Sequence, residues 1–363
     1  MPAITLADLR RHAVARSLFA PTTLPKALER LGFVQADPIR SPARAQDLTL
    51  RHRVKGYRAG DLERRYAALD VEEDFFVNYG FVTPELHALM HPRSALREWP
   101  AERWAQAEAV WHFVQARGAV HPREVDAHFA HGHTTNGFGG QSKASTQLLD
   151  AMHYRGLLRV ARREGGIRLY AAHQPQTAPE DVAAVLDRLV DVLVNKYAPL
   201  PQPGLRQLVA MLQHAVPQWK GQLRAALQRA TQRLPHAEVD GVRWFWPDGE
   251  DPASRRWKAQ HGVRLLAPFD PVVWDRDRFE RLWGWAYRFE AYTPPAKRVR
   301  GYYAMPLLWR DEVIGWGNLS VAGGRLQADI GYVGGQAPKE AAYRQALEAE
   351  LADMAASLSV NSP

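Results

Sequence analysis

No cysteine occurs in the 363 residues of this chain, which excludes disulfide frameworks, thiolate metal sites and cysteine nucleophiles. Long apolar runs are also missing. None approaches the roughly 20 uncharged residues that span a bilayer, and Met1 to His12 already sets Asp8, Arg10 and Arg11 among its apolar positions. The expectation is a cytoplasmic, nucleoid-associated protein with no membrane partner. Acidic residues are outnumbered, 39 against 47 Lys and Arg, for a formal net charge of +8. That balance favours a polyanion, and an Arg-rich composition produces the same balance without one, so only clustering on one face separates the two readings. What is present is globular in character: 46% hydrophobic and 24% charged residues, in a chain longer than the ~250–300 residues at which single cores stop growing.

Periodicity divides the chain. Leu6, Leu9, Ala13, Val14 and Leu18 recur at helical spacing before Pro21 to Pro25 breaks the pattern; Lys26 to Leu31 reads as a helix closed by Gly32. The short apolar run Phe33-Val-Gln-Ala follows, and Asp37-Pro38 is a signal for a helix running toward Arg53. A helix over Trp104–Arg117, a short one over Pro122–Phe129 and one from a Ser142 cap to Arg155 precede a hairpin around Arg162–Gly166. Helix, helix, helix and basic hairpin is the order of a winged helix. It returns with helices over Asp181–Tyr197, Leu205–Leu212 and Gln218–Leu234 and a hairpin at Asp240-Gly241. From Val263 the chain turns strand-like and Gly-punctuated, closing with an amphipathic helix over Lys339–Leu358. The predicted class is α+β. Winged-helix modules occupy 1–100, 101–178 and 179–262, the first most divergent, followed by a β-barrel-like domain over 263–363 with its closing helix.

Leu31 to Leu50 (LGFVQADPIRSPARAQDLTL) resembles the signature of the AlkZ-like and YcaQ-like winged-helix DNA glycosylases, whose catalytic motif is Gln-x-Asp or Gln-x-Gln; here it stands as Gln35-Ala36-Asp37. Leu266 to Arg278 (LAPFDPVVWDRDR), continuing through Tyr287 to Tyr292, Pro295 to Arg298 and Gly301 to Leu307, is similar to a second stretch of that family. Two motifs in the expected order, more than two hundred residues apart, are far more specific than a lone Gln-x-Asp. The resemblance implies three tandem winged helices and a C-terminal β-barrel. The chain departs from the pattern at Ala36, where the family carries a bulky aliphatic, at Gln46, where a His often follows Arg-Ala, and at Phe75 to Phe81, which replaces an aromatic, His-bearing segment.

The implied activity is hydrolysis of the N-glycosidic bond of alkylated purines, N7-alkylguanine adducts and interstrand crosslinks among them, in base excision repair. An N7-alkylated purine already carries the positive charge of a good leaving group, so the enzyme must stabilise an oxocarbenium-like sugar and deliver water. Asp37 supplies a carboxylate for both tasks, by the logic of glycoside hydrolysis. Gln35, two residues earlier on an extended segment, shares its side and orients the water through an amide that both donates and accepts. No lysine adjoins the motif along the chain, so a monofunctional enzyme without a Schiff-base step is expected. Taken alone, Asp37-Pro38 is equally a helix cap, and Gln35 a polar strand end.

Arg40, Arg44, Gln46, Arg51, Arg53 and Lys55 form a phosphate-binding flank or a solvated helix face. Ser142, Lys143 and Thr146 hold the recognition-helix position of the second module, and Lys297, Arg298 and Arg300 make a further basic cluster beside Tyr302 and Tyr303. His128, His131 and His133 have no cysteine and only Asp126 nearby, so no metal is assigned, and no cofactor. Trp244, Trp246, Trp283 and Trp285 read as core. The expected partner is double-stranded DNA carrying alkylated bases, with no obligate protein partner. The rival reading is a non-catalytic winged-helix DNA-binding protein or transcription regulator, which has no use for a carboxylate facing phosphates.

Overall fold

The computed structural model describes residues 3–94, 98–130, 132–135, 141–174, 177–258 and 261–362. The fold is mixed α/β, and by contact the chain segregates into two units whose boundaries cut across its order. One gathers residues 1–61, 190–208 and 227–363; the other gathers 62–189 and 209–226.

The first unit opens on helix Leu6–Ser17, started by a reciprocal cap in which the Thr5 hydroxyl accepts from the Asp8 N–H at 3.2 Å and the Asp8 carboxylate from the Thr5 N–H at 3.0 Å. Helix Leu24–Leu31 carries Pro25 in its first turn, where a missing N–H costs nothing, and ends on Gly32 at φ 64°. Strand Phe33–Gln35 follows directly.

The helix expected from Asp37-Pro38 does not form: it starts only at Ala45 and spans Ala45–Leu50. Pro42 has no N–H to give the carbonyl of Pro38 four residues back, and it disfavours helical backbone at Ser41. Residues 36–44 are thereby left irregular, and Ile39, Ala43 and Leu48 pack into the core of the C-terminal sheet with Leu265, Tyr303 and Met305.

That sheet is a meander of Val263–Leu265, Met305–Trp309, Glu312–Ala322 and Arg325–Tyr332, antiparallel throughout and open as a half-barrel. Gly315 lets two strands approach: a Cβ there would fall 2.1 Å from the Gly331 carbonyl oxygen. Helix Ala341–Leu358 closes the sheet, adding Tyr343, Met354 and Ala355 to its core. Elsewhere in the unit, strands His236–Val239 and Val242–Phe245 form the expected hairpin, with Asp240 and Gly241 at φ 50° and 71° as its turn demands. Trp244, Trp246 and Trp285 are buried, as read.

In the second unit, helices Ala101–Arg117, Pro122–Phe129 and Ala144–Tyr154 lead to the hairpin of Leu158–Glu164 and Ile167–Ala172, which Ala119–Val120 extends at one edge. The third helix starts one residue later than a Ser142 cap implies: Gln141–Lys143 is strand, paired with His133–Thr135, so Lys143 rather than Ser142 is the residue before the first turn. The antiparallel pair Glu72–Phe75 and Tyr79–Val82 was not anticipated.

Candidate active site

The site grows from strand Phe33–Gln35. Its Phe33 carbonyl accepts from the buried ammonium of Lys196, whose pKa burial, with Arg53 nearby, pushes down to about 7. The Gln35 side chain meets a residue 239 positions away: the Trp274 indole N–H donates to Gln35 Oε1 at 2.9 Å. Trp274 is itself fixed. Its main-chain N–H donates to the Asp270 carbonyl at 2.8 Å, its ring lies 5.2 Å from that of Tyr197, and the Asp270 carboxylate receives both Arg53 terminal nitrogens at 2.7 and 3.0 Å. An indole only donates, so Oε1 is the engaged end of the Gln35 amide and the NH2 faces away from Trp274.

Asp37 follows on the irregular segment, half-buried. Its Oδ1 accepts from the Ile39 N–H at 2.9 Å, and its own N–H donates to Gln46 Oε1 at 3.4 Å. Burial raises its pKa above the ordinary aspartate value, and the Ile39 contact only partly opposes this. The buried carboxylates Asp270 and Glu350 of the same unit behave oppositely. Burial alone would raise Asp270 and Glu350, yet Arg53 outweighs it for the first, and Arg51 with His52 holds the second at about 2. Among the described residues, Asp37 has no cation within ion-pairing distance, so its charge is not neutralised. A half-buried carboxylate of raised basicity beside an oriented amide is equipped to take a proton from water and to stabilise a nearby cation.

The residues expected to bind DNA divide. Arg40 and Lys55 are exposed and Arg44 is half-buried. Arg53 is corrected: it is 0% exposed, with its guanidinium shared among Asp270, the Ser17 carbonyl and the Thr49 carbonyl. Arg51 is corrected likewise, since it is turned inward onto Glu350 and the Leu265 carbonyl. Gln46, at 2% exposure, serves the backbone of Asp37 rather than a phosphate.

Lys297 is exposed and Arg298 and Arg300 half-buried on the segment from Tyr287 to Tyr303. Glu290 folds that segment by accepting from the N–H groups of Val299, Arg300 and Gly301 at 3.0, 2.8 and 3.2 Å, which leaves Tyr292 and Val299 82% and 77% exposed. Ser142, Lys143 and Thr146 belong to the other unit, where Lys143 pairs with Asp126 and Thr146 is half-buried. His128 stacks on Phe113 at 4.6 Å, and His131 lies outside the described residues.

Asp74, His87 and His91, in the second unit, bring ligand atoms within 4.8 Å of one another. The carboxylate is already committed: Arg93 donates to its two oxygens at 2.8 and 3.1 Å and His91 contacts Oδ2 at 2.8 Å. A dication there would sit against a guanidinium that already cancels the charge of Asp74, so the cluster is a buried ion network joining strand Glu72–Phe75 to the end of helix Pro84–Met90.

Trp274 and Lys196, which contact the strand that carries Gln35, were not read as site residues. The first lies inside the quoted C-terminal stretch, whereas nothing marked Lys196. The arrangement sets a half-buried carboxylate, Asp37, two residues from an amide, Gln35, whose oxygen is held by Trp274. A family model described as DNA glycosylase AlkZ-like matches residues 28–357, and the chain belongs to that family, whose members hydrolyse N-glycosidic bonds in DNA. Among solved structures the fold is similar to that of Streptomyces sahachiroi DNA glycosylase AlkZ, at 15% identity and a TM-score of 0.67, covering 99% of this chain and 98% of that one.

Proposed function

We propose that this protein is a monofunctional DNA-repair glycosylase that releases N7-alkylguanine-type bases from duplex DNA, interstrand crosslinks included, with Asp37 and Gln35 at its active site. The observation that carries the reading is Asp37: half-buried, raised in pKa and without an ion-pair partner among the described residues, whereas the buried carboxylates Asp270 and Glu350 of the same unit are each matched to an arginine. A DNA-binding protein without catalysis has no use for an unneutralised carboxylate beside its basic residues, where it repels phosphate.

In the proposed reaction the C1′–N9 bond breaks and its electron pair leaves with the base, cancelling the adduct's positive charge. The Asp37 carboxylate stabilises the oxocarbenium-like sugar and takes a proton from the attacking water, whose oxygen bonds to C1′. Gln35 presents its NH2 to that water, because Trp274 engages its carbonyl. Arg40, Arg44, Lys55, Lys297, Arg298 and Arg300 are proposed to meet phosphates, and Ser142, Lys143 and Thr146 to add contacts from their own unit. The proposed scaffold is the three winged-helix modules over 1–100, 101–178 and 179–262, with the C-terminal domain over 263–363, in a cytoplasmic, nucleoid-associated protein. No Schiff-base step is proposed: the Lys196 amine is buried against the Phe33 carbonyl.

The substrate class is tested by base release from duplexes carrying a single N7-methylguanine, a nitrogen-mustard crosslink or an undamaged guanine. Release from either damaged duplex and not from the control is the expected result. Release from none of them moves the function to another lesion or to DNA binding without catalysis.

A further inference from the structure

The most exposed large apolar side chains among the described residues, Tyr292 at 82% and Val299 at 77%, lie on one loop between helix Arg276–Trp283 and strand Met305–Trp309, and Tyr302 is exposed on it as well. Single apolar residues scattered over a surface need no explanation; a group on one short loop does. Nor can the loop fold them away. The Thr293 N–H donates to the Glu290 carbonyl at 2.9 Å, the Glu290 carboxylate gathers the N–H groups of Val299, Arg300 and Gly301, and the Asn318 amide donates to the Arg300 carbonyl at 2.6 Å. Gly301, at φ 120°, passes so close that a Cβ there would fall 2.3 Å from Asn318 Oδ1. Val299 is thereby drawn back to Glu290, two residues from Tyr292.

The charge of the loop says what meets this apolar tip. From Ala291 to Tyr303 no acidic residue occurs, while Lys297, Arg298 and Arg300 all do. Lys297 is exposed, and the Arg298 guanidinium lies 5.0 Å over the Tyr302 ring with its Nε donating to the Thr293 carbonyl at 2.8 Å. A cationic loop with apolar side chains at its tip fits a polyanion whose interior is apolar, and stacked bases inside a phosphate cage are that. The root of the loop ties it to the proposed site. The Phe289 ring lies 6.1 Å from that of Tyr292 and packs on the half-barrel core, which also takes Ile39 and Ala43 from the segment that follows Asp37.

We propose that this loop is a wedge: with Lys297 at a phosphate, Tyr292 and Val299 enter the duplex next to the damaged base and part the stack there. The inference rests on duplex DNA being the partner, as proposed above. Apolar side chains inserted at a base step unstack it, and an aromatic ring restores part of the lost stacking whatever the base. A loop already held by its own hydrogen bonds gives up little freedom on entering, so more of the contact shows as affinity.

The test uses the full-length protein and duplexes carrying one N7-methylguanine with 2-aminopurine beside it, on the 5′ side in one duplex and the 3′ side in the other. Wild type is expected to raise 2-aminopurine fluorescence in at least one of them on mixing, before base release. Tyr292→Ala should abolish the rise and weaken binding about 5- to 50-fold, with an unchanged Tm, since the side chain is exposed. Its dependence of log K on log salt should match wild type, because a phenol ring displaces no counterion. Lys297→Ala should do the reverse, keeping the rise and lowering the salt slope by about 1. A bound wild type that raises fluorescence in neither duplex overturns the proposal. So does a Tyr292→Ala protein that keeps the rise, binds within twofold of wild type, or loses affinity together with Tm. Base release from the same duplexes judges the glycosylase reading separately: wild type that parts the stack and releases no base overturns that reading and keeps the wedge, whereas wild type that binds neither duplex overturns both.

Discussion

Replacing Trp274 with phenylalanine isolates the orientation of Gln35 from its mere presence. The change removes one neutral hydrogen bond of 2.9 Å and keeps an aromatic ring to face Tyr197. The backbone hold of Trp274 on the Asp270 carbonyl survives, since it runs through main-chain atoms. A neutral hydrogen bond contributes about 0.5–1.5 kcal/mol net, and leaving its acceptor unpaired adds to the cost, so about 1–2 kcal/mol of ordering is lost at the amide. If that ordering serves the transition state, base release in single turnover falls about 5- to 30-fold. Affinity for the lesion duplex, read by fluorescence anisotropy, should not move, because neither side chain is assigned to a phosphate. Gln35→Glu sharpens the test: it still accepts from the indole but exchanges the NH2 donor for a carboxylate oxygen near Asp37, and should be slower than Trp274→Phe. A Trp274→Phe rate within twofold of wild type refutes the orienting role, and an active Gln35→Glu refutes the donor role of the amide.

Other consequences follow from the buried charges. Asp270→Asn leaves the 0%-exposed Arg53 without its counter-ion and is expected to destabilise the protein by about 3–5 kcal/mol, read by denaturant unfolding; a loss under about 1 kcal/mol would show that the pair does not hold the Trp274 segment. Acid should unfold the protein in two overlapping steps. Burial, with Arg51, lowers His52 from 6.5 to about 4, so the unfolded chain takes up that proton first and stability falls as pH drops from 6.5 towards 4. Glu350, held at about 2 against 4.5, contributes stability present above 4.5 and lost as pH falls towards 2; an unfolding free energy flat from pH 7 to 3 contradicts both assignments. Arg40→Ala, at an exposed position, should weaken binding to lesion and undamaged duplexes equally and reduce the dependence of log K on log salt by about 1. An unchanged salt slope removes Arg40 from the phosphate contacts.

What could be read from the sequence was mostly local. Caps, prolines and turn pairs act within a few residues, so helix Leu24–Leu31 with Gly32, helix Pro122–Phe129 and the Asp240-Gly241 hairpin were legible. Asp37-Pro38 misled because its cap signal is genuine, while the veto comes from Pro42, which withholds the N–H that a first turn needs. The fates of Arg51 and Arg53 were not legible at all. Spacing marks them as basic, and only the arrival of Glu350 and Asp270, 299 and 217 residues downstream, turns them inward. The same holds for the site: Gln35 and Asp37 were recognisable as a motif, but the partner that fixes the amide lies 239 residues away. Trp274 carried no sign of its role beyond membership in the second family-like stretch.

The central claim is that Asp37 performs the chemistry, and its most direct measurement is single-turnover release of base from a duplex carrying one N7-methylguanine, comparing wild type with Asp37→Asn at matched DNA occupancy. The account predicts release by wild type along a rate profile whose acid limb lies above the ordinary aspartate range, since burial raises this carboxyl. It predicts release lowered by at least about 100-fold in Asp37→Asn with affinity retained. An Asp37→Asn protein that binds and releases base as wild type does would contradict the account and place the catalytic group elsewhere in the chain.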